Sequence, residues 1–202
     1  MQSGDLGKAR GFAKPPRVTL HRQTVVVAFL VLASAAAILL AMGRPPICTC
    51  GEVALWEASA SSARTSQMIA DWYSPSHFIH GLLFYGMLWL ALRGWPVERR
   101  FLLALAIETA WELLENTPLI IDRYREATFA LGYTGDSVLN SLSDIGMMAI
   151  GFVAASRLPL WVSIALALAL ELAALIVIRD NLALNIIMLL APNDAIRAWQ
   201  AG

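Results

Sequence analysis

"TVVVAFLVLASAAAILLAMG" occupies residues 24–43 and contains no charged residue. About 20 consecutive apolar residues is the length an α-helix needs to cross the hydrocarbon core of a bilayer. The stretch decides the fold class because comparable runs follow it, at 77–92, 101–121, 137–156 and 160–178. A further run at 182–191 is apolar but covers only half a crossing. The 202-residue chain is 58% hydrophobic and 15% charged, with a mean hydropathy of +0.61. One small soluble core has no room for so many apolar runs. The reading is an all-α, polytopic transmembrane helical bundle of five spans. A short C-terminal helix is added that is re-entrant, interfacial or a sixth crossing. The corresponding domain layout is a basic cytoplasmic tail at 1–23, one transmembrane helical domain at 24–191 with an outer loop at 44–75, and a short tail at 192–202. The expected partner is the lipid bilayer. The formal net charge is zero, which gives no electrostatic reason to expect nucleic acid.

Orientation follows from Lys and Arg. Lys8, Arg10, Lys14, Arg17 and Arg22 precede the first span, Arg93, Arg99 and Arg100 follow the second, and Arg157 sits between the fourth and fifth. These segments share one side and hold nine of the 15 basic residues. The other side mixes its arginines with Glu52, Glu57, Asp71, Asp122, Glu126 and Asp180. The expectation is a multi-pass protein of a bacterial inner membrane with its N-terminus in the cytoplasm. Residues 24–43 read as an uncleaved anchor, since the run is too long for a signal peptide and ends in Gly43-Arg44-Pro45-Pro46. Cys48 and Cys50 then fall in an outer loop. One intervening residue is an unfavourable spacing for an internal disulfide. The plain reading is two thiols in a tight turn with Gly51, and the alternatives are a redox pair or part of a metal site.

The polar residues inside the apolar runs carry the functional signal. His77 and His80 lie one turn apart at the start of the second span, where Pro75 suits the first helical turn and Ser74 is a candidate cap. Glu108, Glu112 and Glu115 share one side of the third span beside Trp111. Asp136, Asn140 and Asp144 recur every four residues on the fourth, and Glu171 lies two turns before Arg179 on the fifth. With the topology above, all of these fall in the outer half of the membrane. Glu108, Asp144 and Glu171 sit about 12 Å inward from its edge at 1.5 Å per residue.

An ionised carboxylate in lipid costs on the order of 2.5–3.5 kcal/mol, so these acids are expected to face the bundle interior with something to offset them. The five apolar runs hold no Lys or Arg, and their only bases are His77 and His80. His77, Glu112, Glu115, Asp136 and Asp144 are the candidate catalytic layer. His77, His80, Glu112, Glu115 and Asp136 are candidate ligands of a divalent metal, since His with carboxylate suits zinc or manganese. His80, Asn140, Arg123, Arg125 and Arg179 are candidate ligand-binding residues, the arginines for an anionic head group. The plain alternative is interhelical hydrogen bonding, which fits Ser137, Asn140 and Ser141. Glu171 reads as an internal partner for Arg179.

The strings "DWYSPSHFIHG" (71–81), "WELLENT" (111–117), "GDSVLNSLSD" (135–144) and "IRDNLALNIIML" (178–189) resemble those of an uncharacterised family of alphaproteobacterial multi-pass membrane proteins, a domain of unknown function. That resemblance implies an inner-membrane location and supplies no reaction. A more distant likeness is to VanZ-like proteins, linked to glycopeptide-antibiotic resistance. It rests on His77 or His80, Glu112 or Glu115, Arg123, and Asp136 with Asn140.

Two function classes follow. One is a metal-assisted enzyme acting on a lipid or lipid-linked head group at the outer leaflet. The other is a non-catalytic binder or transporter that takes a small polar ligand or protons. No nucleophile elbow, phosphate-binding glycine loop or dinucleotide fingerprint is present.

Overall fold

The computed structural model describes residues 17–18, 21–128 and 132–201. Lys8, Arg10 and Lys14 lie outside them. The described residues form eight helices and no strand: α1 (Arg22–Ala41), α2 (Ser74–Ala91), α3 (Val97–Glu115), α4 (Pro118–Ala127), α5 (Val138–Arg157), α6 (Leu160–Ile178), α7 (Leu182–Leu190) and α8 (Asp194–Ala201). α1, α5 and α6 are long and apolar enough to cross a membrane. α2 and α3 match them in length, with 18 and 19 residues, but carry histidines and carboxylates.

α2, α3 and α5 make the centre. Phe152 is fully buried against Tyr85 of α2 and Phe101 of α3, with ring centroids 5.2 and 5.5 Å away. Ile145, Met148 and Ala104 complete this core. α1 packs chiefly on α3, and α6 lies against α2 and α5. α6 buries only Ser163 and Ala174, leaving a surface of Leu, Ile and Trp side chains. α2 and α5 form the most extensive helix pair. A Cβ on Gly81 would overlap Met148 O, and one on Gly151 would overlap Phe78 O. These two glycines therefore let the backbones touch.

The third apolar run does not continue to Ile121 as expected. α3 stops at Glu115, and Pro118 opens a separate helix, α4. Pro has no N–H to extend α3 and suits a first turn. The outer loop is not a loose connector. Pro45 O and Pro46 O accept from Val138 N and Leu139 N, and Ser66 O accepts from Ser137 N. Ser137 Oγ accepts from Asn140 N. The first N–H groups of α5, which have no partner within a helix, are thus all met. Asp136 does not cap α5, because Ser137 holds that position. Nor does Ser74 cap α2. Ser74 Oγ accepts from Asp71 N, while Asp71 carboxylate oxygens accept from Ser66 N and Tyr73 N.

Cys48 and Cys50 are disulfide-bonded, with Cα atoms 5.1 Å apart, which replaces the two-thiol reading. α7 has nine residues, roughly 13 Å, too short to cross alone. Residues 194–201, expected as a tail, form α8.

Candidate functional site

Three helices bring the polar residues together. His77 Nδ1 is 2.7 Å from Glu108 Oε1 and 3.3 Å from Glu112 Oε1, while its Nε2 is 3.9 Å from Asp144 Oδ2. His80 Nδ1 is 3.0 and 3.1 Å from the two oxygens of Glu108. Glu108 is fully buried and receives both imidazoles. A neutral imidazole that donates from Nδ1 keeps its lone pair on Nε2, the arrangement of a metal-binding histidine oriented by a carboxylate. Three overlapping groups have ligand atoms within 4.8 Å of one another: His77, His80 and Glu108; His77, Glu112 and Asp144; Glu112, Glu115 and Asp136. Glu112 Oε1 and Asp144 Oδ1 are buried and accept no hydrogen bond.

Around this cluster lies a set of neutral donors. Asn116 Nδ2 donates to Asp136 Oδ2 at 2.8 Å, and Tyr133 OH donates to Asp136 Oδ1 at 2.9 Å. Asn116 Oδ1 accepts from Asp136 N at 2.8 Å. Burial pushes the Asp136 carboxyl above its ordinary range, and these two donors act against that rise. Asn140 donates to Met68 O at 3.0 Å and so ties α5 to the outer loop. Asp180, just past α6, accepts from Asn181 N and from Gln200 Nε2. Burial raises its carboxyl to about 6.

The cluster opens into a cavity of about 640 Å³. Its polar lining includes His77, His80, Glu108, Glu115, Asp136, Asp144 and Asp180. Its apolar wall is made of Leu83, Phe84, Ile107, Trp111, Ile186 and Leu189. Leu83, Ile107 and Ile186 are each more than 40% exposed, so this wall reaches the outer surface of the bundle. None of the described residues lining the cavity is Lys or Arg.

Residues 39–202 match the family model described as "Protein of unknown function (DUF2585)". The chain belongs to the DUF2585 family. It is 57% identical over 188 residues to a UPF0314 protein of Sphingopyxis alaskensis, covering 91% of this chain and 97% of that one. A UPF0314 protein of Paracoccus denitrificans is 50% identical over 188 residues, covering 92% and 97%. One of Agrobacterium fabrum is 55% identical over 163 residues, covering 81% and 82%. No solved structure matches the chain. The VanZ-like resemblance has no counterpart among these matches.

In this DUF2585 member, His77, His80, Glu115, Asp136, Asn140 and Asp144 line one chamber, and Glu112 is buried against them. The three arginines do not join them. Arg123 Nε donates to Leu189 O, Arg125 Nε to Tyr133 O, and Arg179 Nη1 to Trp199 O. Glu171 does not pair with Arg179. Its oxygens accept from Leu182 N and Ala183 N at the start of α7, where the helix dipole favours a carboxylate. Glu108 is more central than its sequence position suggests, though its four-residue spacing from Glu112 was a usable signal. Tyr73, Asn116, Tyr124, Tyr133 and Asp180 enter the site from connecting segments and α4. No periodicity in the sequence marks them.

Proposed function

We propose that this chain is a five-span protein of the bacterial inner membrane whose outer-half chamber binds a divalent metal and acts on a lipid or lipid-linked head group. The observation that carries this reading is the convergence of His77, Glu112 and Asp144 from three different helices, with Glu112 Oε1 and Asp144 Oδ1 buried and accepting no hydrogen bond. Uncompensated buried carboxylates are costly, and a cation is the simplest group that offsets them. His77 Nε2 with oxygens of Glu112 and Asp144 would hold the ion. The ion would polarise an oxygen of the head group or lower the pKa of a bound water. His80 and Glu108 orient His77, and Asn116 and Tyr133 orient Asp136. The apolar wall that reaches the outer surface suits the chain of an amphiphile entering from the bilayer. No head-group role is assigned to Arg123, Arg125 or Arg179.

The second reading is a binder or transporter of a small cation or of protons. The absence of Lys and Arg among the described lining residues favours it over an anion carrier.

Elemental analysis of the full chain, purified in detergent without chelator, tests the metal reading. At least one Zn²⁺ or Mn²⁺ per chain is expected, and His77→Ala is expected to hold one ion fewer per chain. Wild-type protein that holds no metal after incubation with either ion refutes it. Release of head groups from bacterial membrane lipids, abolished by chelator and by Glu112→Gln, supports the enzyme. Proton-gradient-dependent cation uptake without such release supports the transporter.

A further inference from the structure

The metal reading uses one of the three ligand groups. A second group shares a residue with it. Glu112 belongs both to the set with His77 and Asp144 and to the set with Glu115 and Asp136, each with ligand atoms within 4.8 Å. We propose that the chamber holds two divalent cations bridged by Glu112. One lies on His77, Glu112 and Asp144, and the other on Glu112, Glu115 and Asp136. The inference rests on the metal reading above and adds the second ion.

Two observations point past a bare acidic cluster. Glu112 is 1% exposed, and its Oε1, 3.3 Å from His77 Nδ1, accepts no hydrogen bond. Asp136 is held from behind by Asn116 and Tyr133, as ligating carboxylates commonly are. Charge sets the stoichiometry. Glu108 is already paired with two imidazoles. The four remaining acids of the two sets are Glu112, Glu115, Asp136 and Asp144. Ionised, they carry four negative charges, which two divalent ions cancel. A single ion leaves two charges without a counter-charge in a buried site.

The donors also differ in kind. The first set includes an imidazole and suits Zn²⁺ or Mn²⁺. The second is all oxygen and suits Mg²⁺ or Mn²⁺. Mn²⁺ fits both. In general, a pair of ions about 3.5–4 Å apart clamps the oxygens of a phosphoryl group during displacement. The pair supplies the positive charge that a phosphate-bearing head group requires and that the described chamber walls lack.

The test loads full-length, detergent-purified protein with Mn²⁺, removes free ion, and measures metal content and the electron paramagnetic resonance spectrum. The wild type is expected to hold two Mn²⁺ per chain with exchange-coupled signals. Glu115→Gln is expected to halve the content and to give the hyperfine-split spectrum of an isolated ion. Asp136→Asn is a second variant with the same expectation if Glu115→Gln does not fold. One Mn²⁺ per wild-type chain overturns the pair and leaves the single-metal reading standing. No Mn²⁺, with no Zn²⁺ either, overturns both. Two ions that persist in both variants overturn the assignment of the second set.

Discussion

Asp144 separates architecture from chemistry at the scale of one residue. The residue is 5% exposed, its Oδ1 accepts nothing, and its Oδ2 is 3.9 Å from His77 Nε2. Asn has the same shape and still donates and accepts hydrogen bonds, but it is a poor anionic ligand. Asp144→Asn is therefore expected to insert and fold. Its metal-free thermal stability should be equal to the wild type or up to about 1 kcal/mol higher, since an uncompensated buried charge is gone. Its metal affinity should fall at least tenfold, a loss that even the outer partners of metal ligands can produce. Metal titration of the folded variant is the measurement. Wild-type affinity and activity would show that Asp144 is a protonated hydrogen-bonding group. Glu108 teaches a related point. It faces two histidines, so its substitution acts through imidazole orientation and not through a lost ligand alone.

At the scale of the element, the site depends on how closely α2 and α5 approach. His77 lies one turn before Gly81 on α2, and Asp144 lies two turns before Gly151 on α5. Where these glycines touch the facing backbone, a methyl group has no flexible neighbour to displace. Gly81→Ala or Gly151→Ala must push the helices apart. The expected cost is about 1–3 kcal/mol, the usual range for overpacking, together with weaker metal retention as His77 and Asp144 separate. Gly86→Ala and Gly146→Ala are controls on the same helices, since nothing lies within 4 Å of a Cβ at either position. They should be neutral or stabilise by about 0.5–1 kcal/mol. Thermal unfolding in one detergent compares all four. Equal melting temperatures across the set would remove the glycine contact as the determinant of helix spacing.

At the scale of the whole molecule, orientation decides which leaflet meets the chamber. The chain has two cysteines, both in the loop between α1 and α2, so thiol labelling reports that loop alone. After reduction, a membrane-impermeant maleimide is expected to label Cys48 and Cys50 in intact spheroplasts. Labelling only after lysis would invert the topology and place the chamber in the inner half. The sequence by itself determined the helical class, the apolar surface of α1 and α6, and the shared helical faces of His77 with His80, of Glu108 with Glu112 and Glu115, and of Asn140 with Asp144. These follow from local composition and from helical spacing, because a residue every three or four positions shares a face whatever lies opposite. The turn at Thr117-Pro118, the Asp71 contacts at the start of α2, and Glu171 at the start of α7 were decided by the tertiary structure. So were the carbonyl partners of Arg123, Arg125 and Arg179 and the entry of Tyr133 and Asn116 into the site. The reason is that a long arginine or a loop tyrosine takes its partner from whichever chain segment packs nearby. Periodicity says which side a helix hides, and only packing says which groups wait there.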